Sequence, residues 1–171
     1  MHNDTKVAVL FIIINFCVAY VSDNFLNDLS KYSKIKAFKS LSPYFKKNSI
    51  VGAGIYAGLT VAAATIILII LYKIIFKTYL PNASSFNYSS STFMVYFIFF
   101  ILAYFVGYAL DVFIYRMNLF DNLQPFYNEV GAGNGGAVSF LFSLAVSFAL
   151  LRMVIYLTDE RDEIRERNEN K

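Results

Sequence analysis

Residues 51–72, VGAGIYAGLTVAAATIILIILY, carry no charged side chain. The same is true of residues 93–110, FMVYFIFFILAYFVGYAL, and of residues 130–151, VGAGNGGAVSFLFSLAVSFALL. The hydrocarbon core of a bilayer is about 30 Å thick and takes roughly 20 helical residues to cross. A helix satisfies all its own backbone polar groups within one segment, so each run predicts a membrane-spanning helix. A shorter apolar run, residues 7–21, is interrupted by Asn15 and predicts a fourth span. Lys6 before it and Cys17-Val18-Ala19 within it also fit a signal peptide; the expectation is an uncleaved anchor.

These runs set the expected fold. It is an all-α integral membrane protein with four transmembrane helices and an interfacial amphipathic helix. Residues 1–171 form a single membrane domain, with spans at about 6–22, 50–76, 92–116 and 134–158. Composition agrees. Of 171 residues, 57% are hydrophobic and 16% charged, and the mean hydropathy is +0.51. Soluble domains carry about 25% charged residues. The deficit is what a lipid-facing surface requires, because a charge left in hydrocarbon costs several kcal/mol.

Composition also excludes chemistry. Cys17 is the only cysteine, so no intrachain disulfide can form, and His2 is the only histidine. Histidine-based catalysis, a catalytic or structural metal and a bound cofactor are therefore not expected, nor is a nucleic-acid partner.

Residues 23–49 connect the first two spans. Phe25, Leu26, Leu29, Tyr32, Ile35, Phe38, Leu41 and Phe45 recur every three or four positions. Lys31, Lys34, Lys36, Lys39, Lys46 and Lys47 fill much of the rest, against only Asp23 and Asp28. This pattern predicts an amphipathic helix lying in the interface, ended near Pro43, with a lysine face for anionic lipid or an acidic partner. The tail 159–171 is highly charged. Its Glu163 and Arg167 stand at i,i+4, which extends the last helix into water.

Within the second span Gly54, Gly58 and Ala62 are four apart and share one helix face. Small residues at this spacing let helix backbones approach closely, either within the chain or at a seam between copies. Polar groups inside the spans are few: Asn15, Thr60, Thr65, Asp111, Asn134, Arg152 and some serines. An ionisable group in a span is by default a functional hypothesis. Asp111 has Tyr108 and Tyr115 one turn away, and Arg152 can reach Tyr96 or Tyr104 on an antiparallel neighbour. Gly131, Gly133, Gly135 and Gly136 form a run with no following Gly-Lys-Ser/Thr. They predict a close-packed entry to the last helix rather than a phosphate cradle.

Lysine and arginine bias sets orientation in membranes. The connections at 23–49 and after the third span hold seven basic residues, and the opposite side six. The expectation is both termini outside and loop 23–49 cytoplasmic. That puts the glycosylation acceptors Asn82-Ala83-Ser84 and Asn87-Tyr88-Ser89 on the non-cytoplasmic side.

Asp111 and Asp121 are the pair a paired-aspartate intramembrane protease would need. The chain lacks the Asn-x-x-Asp-Arg run of the four-span lipoprotein signal peptidases, and nothing in the sequence fixes the two carboxyls together. No enzymatic activity is expected. Residues 104–150, with an aromatic span, Gln124-Pro125-Phe126-Tyr127 and the Gly-Ala-Gly run, resemble small multi-span membrane proteins of large icosahedral double-stranded DNA viruses. The resemblance implies a structural component of the virion's inner membrane or a host endomembrane, contacting capsid proteins and neighbouring copies. It carries over no catalytic residue. The expected function is thus structural, with a small transporter, channel or accessory subunit as the alternative.

Overall fold

The computed structural model describes residues 4–32, 34–39, 50–81, 90–117 and 134–169. Five helices account for nearly all of them: α1 (Asp4–Tyr32), α2 (Lys36–Lys39), α3 (Ile50–Phe76), α4 (Ser90–Met117) and α5 (Asn134–Glu169). The protein is all-α, with no strand among the described residues. Four helices are long and apolar enough to cross a membrane, over Asp4–Ser22, Gly54–Phe76, Thr92–Arg116 and Gly136–Asp159. The chain is therefore an integral, multi-pass membrane protein.

Local sequence explains where the helices begin and end. α1 holds neither glycine nor proline, and Asp4 places a negative charge on the positive end of its dipole. α3 stops at Phe76 because Lys77 adopts a left-handed conformation, φ 56°. The Lys77 N–H then turns back to the Lys73 carbonyl at 2.9 Å, satisfying one of the carbonyls a helix end leaves open. Arg116 lies in the last turn of α4, where a cation complements the dipole. α5 runs ten residues past the apolar stretch that ends at Asp159. That extends it by about 15 Å at 1.5 Å per residue, through the charged tail.

The separate interfacial helix expected over residues 23–49 is not shown. α1 continues unbroken to Tyr32, and among the described residues of this connection the single turn of α2 follows. The charges at Asp23 and Asp28 end the apolar run without ending the helix, because no breaking residue accompanies them. Residues 33 and 40–49, including Pro43, lie outside the described residues.

The spanning helices form an antiparallel bundle. α1 packs on α3 and α5, and α4 packs on α3 and α5, so α3 and α5 stand on the diagonal. Cross-chain pairs fix the directions: Phe11 meets Phe148 and Phe25 meets Phe142, while Tyr72 meets Phe99. The half of the bundle near the termini is aromatic. Phe148 contacts Phe11 at 4.9 Å, Phe99 at 5.3 Å and Tyr96 at 5.7 Å between centroids. The other half combines small residues, with Ala57 and Ala137 fully buried, and the buried rings of Tyr56 and Phe140. Lipid tails are as apolar as leucine, so dispersion between closely fitted surfaces and a few interhelical hydrogen bonds hold such a bundle together.

Candidate functional site

Three polar groups of the spans converge. Asn15 on α1, Thr65 on α3 and Ser147 on α5 all have 0% exposure. The Asn15 amide nitrogen donates to Thr65 Oγ1 at 2.6 Å. Ser147 Oγ donates to Asn15 Oδ1 at 3.0 Å, and Thr65 Oγ1 donates back to the Val61 carbonyl at 2.7 Å. One turn along α5, the Ser143 hydroxyl donates to the Phe140 carbonyl at 3.0 Å. Three helices are thus tied at one point by neutral groups. Amides and hydroxyls of this kind hold geometry. They offer no titrating acid or base near neutral pH. Two further hydroxyls, Thr60 and Ser139, are buried with no hydrogen-bond partner among the described residues.

Asp111 is fully buried on α4, against the first turn of α5. A Cβ built on Gly136 would collide with the Asp111 carboxyl and its Cβ. The first N–H groups of a helix have no internal partner and carry partial positive charge. The glycine therefore lets an acidic side chain from the neighbouring helix approach the positive end of α5. Gly107, one turn before Asp111, meets Phe140 and the Ala137 backbone in the same way. Gly136, the last glycine of the Gly-rich run, thus serves close helix packing.

Gly54 and Gly58 face α1. A Cβ at Gly54 would lie 2.9 Å from the Tyr20 ring, and one at Gly58 would lie 2.6 Å from the Phe16 ring. Ala62, the third member of this face, is half-buried. Arg152 is half-buried on α5, and its guanidinium lies over the Tyr96 ring at 5.7 Å. Of the six lysines expected to contact lipid or a partner, Lys34, Lys36 and Lys39 are exposed around α2. Lys31 lies in α1, and Lys46 and Lys47 fall outside the described residues. Asp121 and the acceptors Asn82 and Asn87 also fall outside them.

No known protein family, curated protein or solved structure matches this chain. What the site can do must be read from its geometry. Asn15, Asp111 and Arg152 do not form one cluster. Asn15 joins α1, α3 and α5, Asp111 meets the start of α5, and Arg152 lies toward the opposite end of that helix's membrane span. Among the described residues no group of three His, Cys, Asp or Glu side chains could hold a metal.

At the membrane edge, Lys73 donates a hydrogen bond to the Tyr79 hydroxyl and also sits over its ring. That bond, with one from Thr5 and the lysine charge, holds the half-buried Tyr79 phenol below its usual range. The contact between Thr5 and Tyr79 also fastens the start of α1 to the segment after α3.

Two features were missed in the sequence. Ser139, Ser143 and Ser147 recur every fourth residue along one face of α5, a legible stripe. Phe16 and Tyr20, four apart on α1, are the aromatic counterparts of Gly58 and Gly54.

Proposed function

We propose that this chain is a structural membrane protein that organises a bilayer and contacts partner proteins through its lysine-rich stretch and charged tail. One observation supports the reading above others. Three polar groups of the spans, Asn15, Thr65 and Ser147, are tied to one another inside the bundle at 0% exposure. Toward the termini, Phe11, Phe99 and Phe148 close over them. A conduit needs polar groups along a shared aqueous path, whereas a scaffold needs rigidity and exposed contact surface. Lys34, Lys36 and Lys39 supply such a surface beside the bilayer. The resemblance of residues 104–150 to viral membrane proteins extends the proposal to a virion's inner membrane, with capsid proteins and neighbouring copies as partners.

The test compares two variants in one membrane-assembly assay. Changing Lys34, Lys36 and Lys39 to glutamate should weaken assembly strongly, since each basic residue near an anionic surface contributes about 1 kcal/mol. Asp111→Asn should assemble nearly as the parent does. Loss of function in Asp111→Asn with no effect of the lysine reversal overturns the scaffold reading. The buried hydroxyls of Thr60 and Ser139 favour a small conduit as the second reading. Ion or solute flux into proteoliposomes that is abolished by Thr60→Val or Ser139→Ala would establish it.

A further inference from the structure

A groove of about 520 Å³ between α1 and α5 is almost wholly apolar, with Cys17 and Phe25 on one wall and Phe142 and Leu150 on the other. Nothing there selects one occupant. A second groove, about 720 Å³ between α4 and α5, is different because a cation lines it. Its α5 side carries Ala145, Ala149 and Arg152, four and three residues apart on one helix face, beside Phe148. Its α4 wall is Phe93, Tyr96 and Phe100. The antiparallel pairing sets the order along the groove. Phe93 and Tyr156 stand at the mouth, Arg152 over Tyr96 comes next, and the alanines and Phe100 lie deepest.

The groove opens to lipid. Phe93, Met153 and Tyr156 on its rim are more than half exposed within a membrane span. Arg152 is seven residues short of the span's end at Asp159, about 10 Å along the helix axis. Helical side chains lean toward the helix N-terminus, which on α5 is toward the bilayer centre. The guanidinium accordingly lies back over Tyr96, within the groove. A cation at this depth is costly in hydrocarbon, which favours drawing a lipid phosphate down to it with the acyl chain running deeper along the groove. A guanidinium matches a phosphate with a planar fork of donors, and the alanine floor leaves room for a chain.

We propose that the α4/α5 groove binds one anionic phospholipid, its phosphate on Arg152 and one acyl chain along Ala149 and Ala145 toward Phe100. The lipid belongs to the leaflet on the side of the two termini. That is opposite the lysine-rich stretch, so the site stands independently of the scaffold proposal.

The test uses purified full-length protein in nanodiscs carrying a trace of photoactivatable lipid, diazirine in the acyl chain, as either phosphatidylglycerol or phosphatidylcholine. Cross-linked peptides are mapped by mass spectrometry. Peptides covering 93–100 and 145–153 should be labelled by the anionic lipid about fivefold more than by the zwitterionic one, the preference one basic group confers. Arg152→Gln should bring that ratio close to one, and Arg152→Lys should keep part of it. Neutralising Lys34, Lys36 and Lys39 to glutamine should leave it unchanged. Ala149→Phe, which fills the floor, should lower labelling by both lipids. If Arg152→Gln does not fold, the Ala149→Phe and Arg152→Lys results decide. Equal labelling by both lipids in the parent protein overturns the proposal, as does a ratio that survives Arg152→Gln. Efficient disulfide dimerisation of Met153→Cys, with the groove unlabelled, would assign it instead to a second copy.

Discussion

Asn15 and Thr65, fifty residues apart in the chain, meet at 2.6 Å in the core of the bundle, and Ser147 closes on Asn15 from a third helix at 3.0 Å. The direction of each bond is fixed by what else the groups do. Thr65 has already given its proton to the Val61 carbonyl, so toward Asn15 it can only accept. Asn15 must therefore both donate and accept, which asparagine does and aspartate does not when ionised. Ser147→Ala removes one donor to the amide and should cost about 0.6 kcal/mol, the average for an interhelical hydrogen bond in a membrane protein. Thr65→Val strands the amide N–H and should cost somewhat more, about 1–2 kcal/mol. Asn15→Asp sets a carboxylate against the Thr65 oxygen and should be the most damaging of the three. Unfolding of the purified variants in mixed detergent micelles gives the order directly. An aspartate variant as stable as the parent would mean that the hub does not hold the helices.

The glycine face of α3 receives α1. Because the site of a Gly58 Cβ lies 2.6 Å from the Phe16 ring, Gly58→Ala should destabilise by about 1–3 kcal/mol through overpacking. Phe16→Leu alone removes aromatic contacts and also costs stability. Combined with Gly58→Ala it should recover part of the loss, because the smaller side chain vacates the space the methyl needs. The double-mutant cycle in thermal unfolding measures that coupling. Strict additivity would show that the two residues do not share the space. Oligomer size by light scattering should be the same for all four proteins, since the contact lies within one chain.

The Asp111 carboxyl and Gly136 form the corresponding contact between α4 and α5. Asp111→Asn keeps the shape but removes the acidic group that faces the positive end of α5. It should cost about 0.3–1 kcal/mol, and up to about 2 in this buried setting. Gly136→Ala should cost more, because a Cβ there collides with the carboxyl itself. Comparing the two by thermal unfolding separates electrostatics from shape. A larger loss for the asparagine variant would place the weight on charge rather than on close approach.

The spans were legible because a charge-free run of bilayer length leaves a chain no other way to satisfy its backbone in lipid. The extension of α1 through 23–32 was not, since hydropathy marks where a helix leaves lipid and not where it ends. Asn15, Thr65, Asp111, Gly58 and Gly136 all stood out as residues out of place in an apolar run. Their pairings did not, because partners 50 and 132 residues apart depend on which helices become neighbours. Four spans permit more than one such arrangement, and hydropathy is the same for each. Periodicity alone could have gone one step further. The serines at every fourth position of α5 mark the face that turns inward, and Phe16 and Tyr20 mark the matching face of α1.

Lys77 ends α3 in a conformation that side-chain-bearing residues avoid, with φ at 56°. The left-handed region brings Cβ close to the following carbonyl oxygen and costs roughly 1–2 kcal/mol for an ordinary residue. Glycine, the usual residue at this cap, avoids that clash but gives up more conformational freedom on folding. Lys77→Gly should therefore raise stability by a net of about 0.5–1 kcal/mol, with the bond from residue 77 N–H to the Lys73 carbonyl retained. Lys77→Ala is the control, because it removes the ammonium but keeps the Cβ and its clash. If the backbone is what matters, the glycine variant melts higher than the parent and the alanine variant does not. If the ammonium matters more, through the negative end of the α3 dipole or by reaching headgroups, both substitutions lower the melting temperature. Thermal unfolding of the three proteins in one detergent distinguishes these outcomes, and a lower melting temperature for Lys77→Gly than for Lys77→Ala would overturn the strain account.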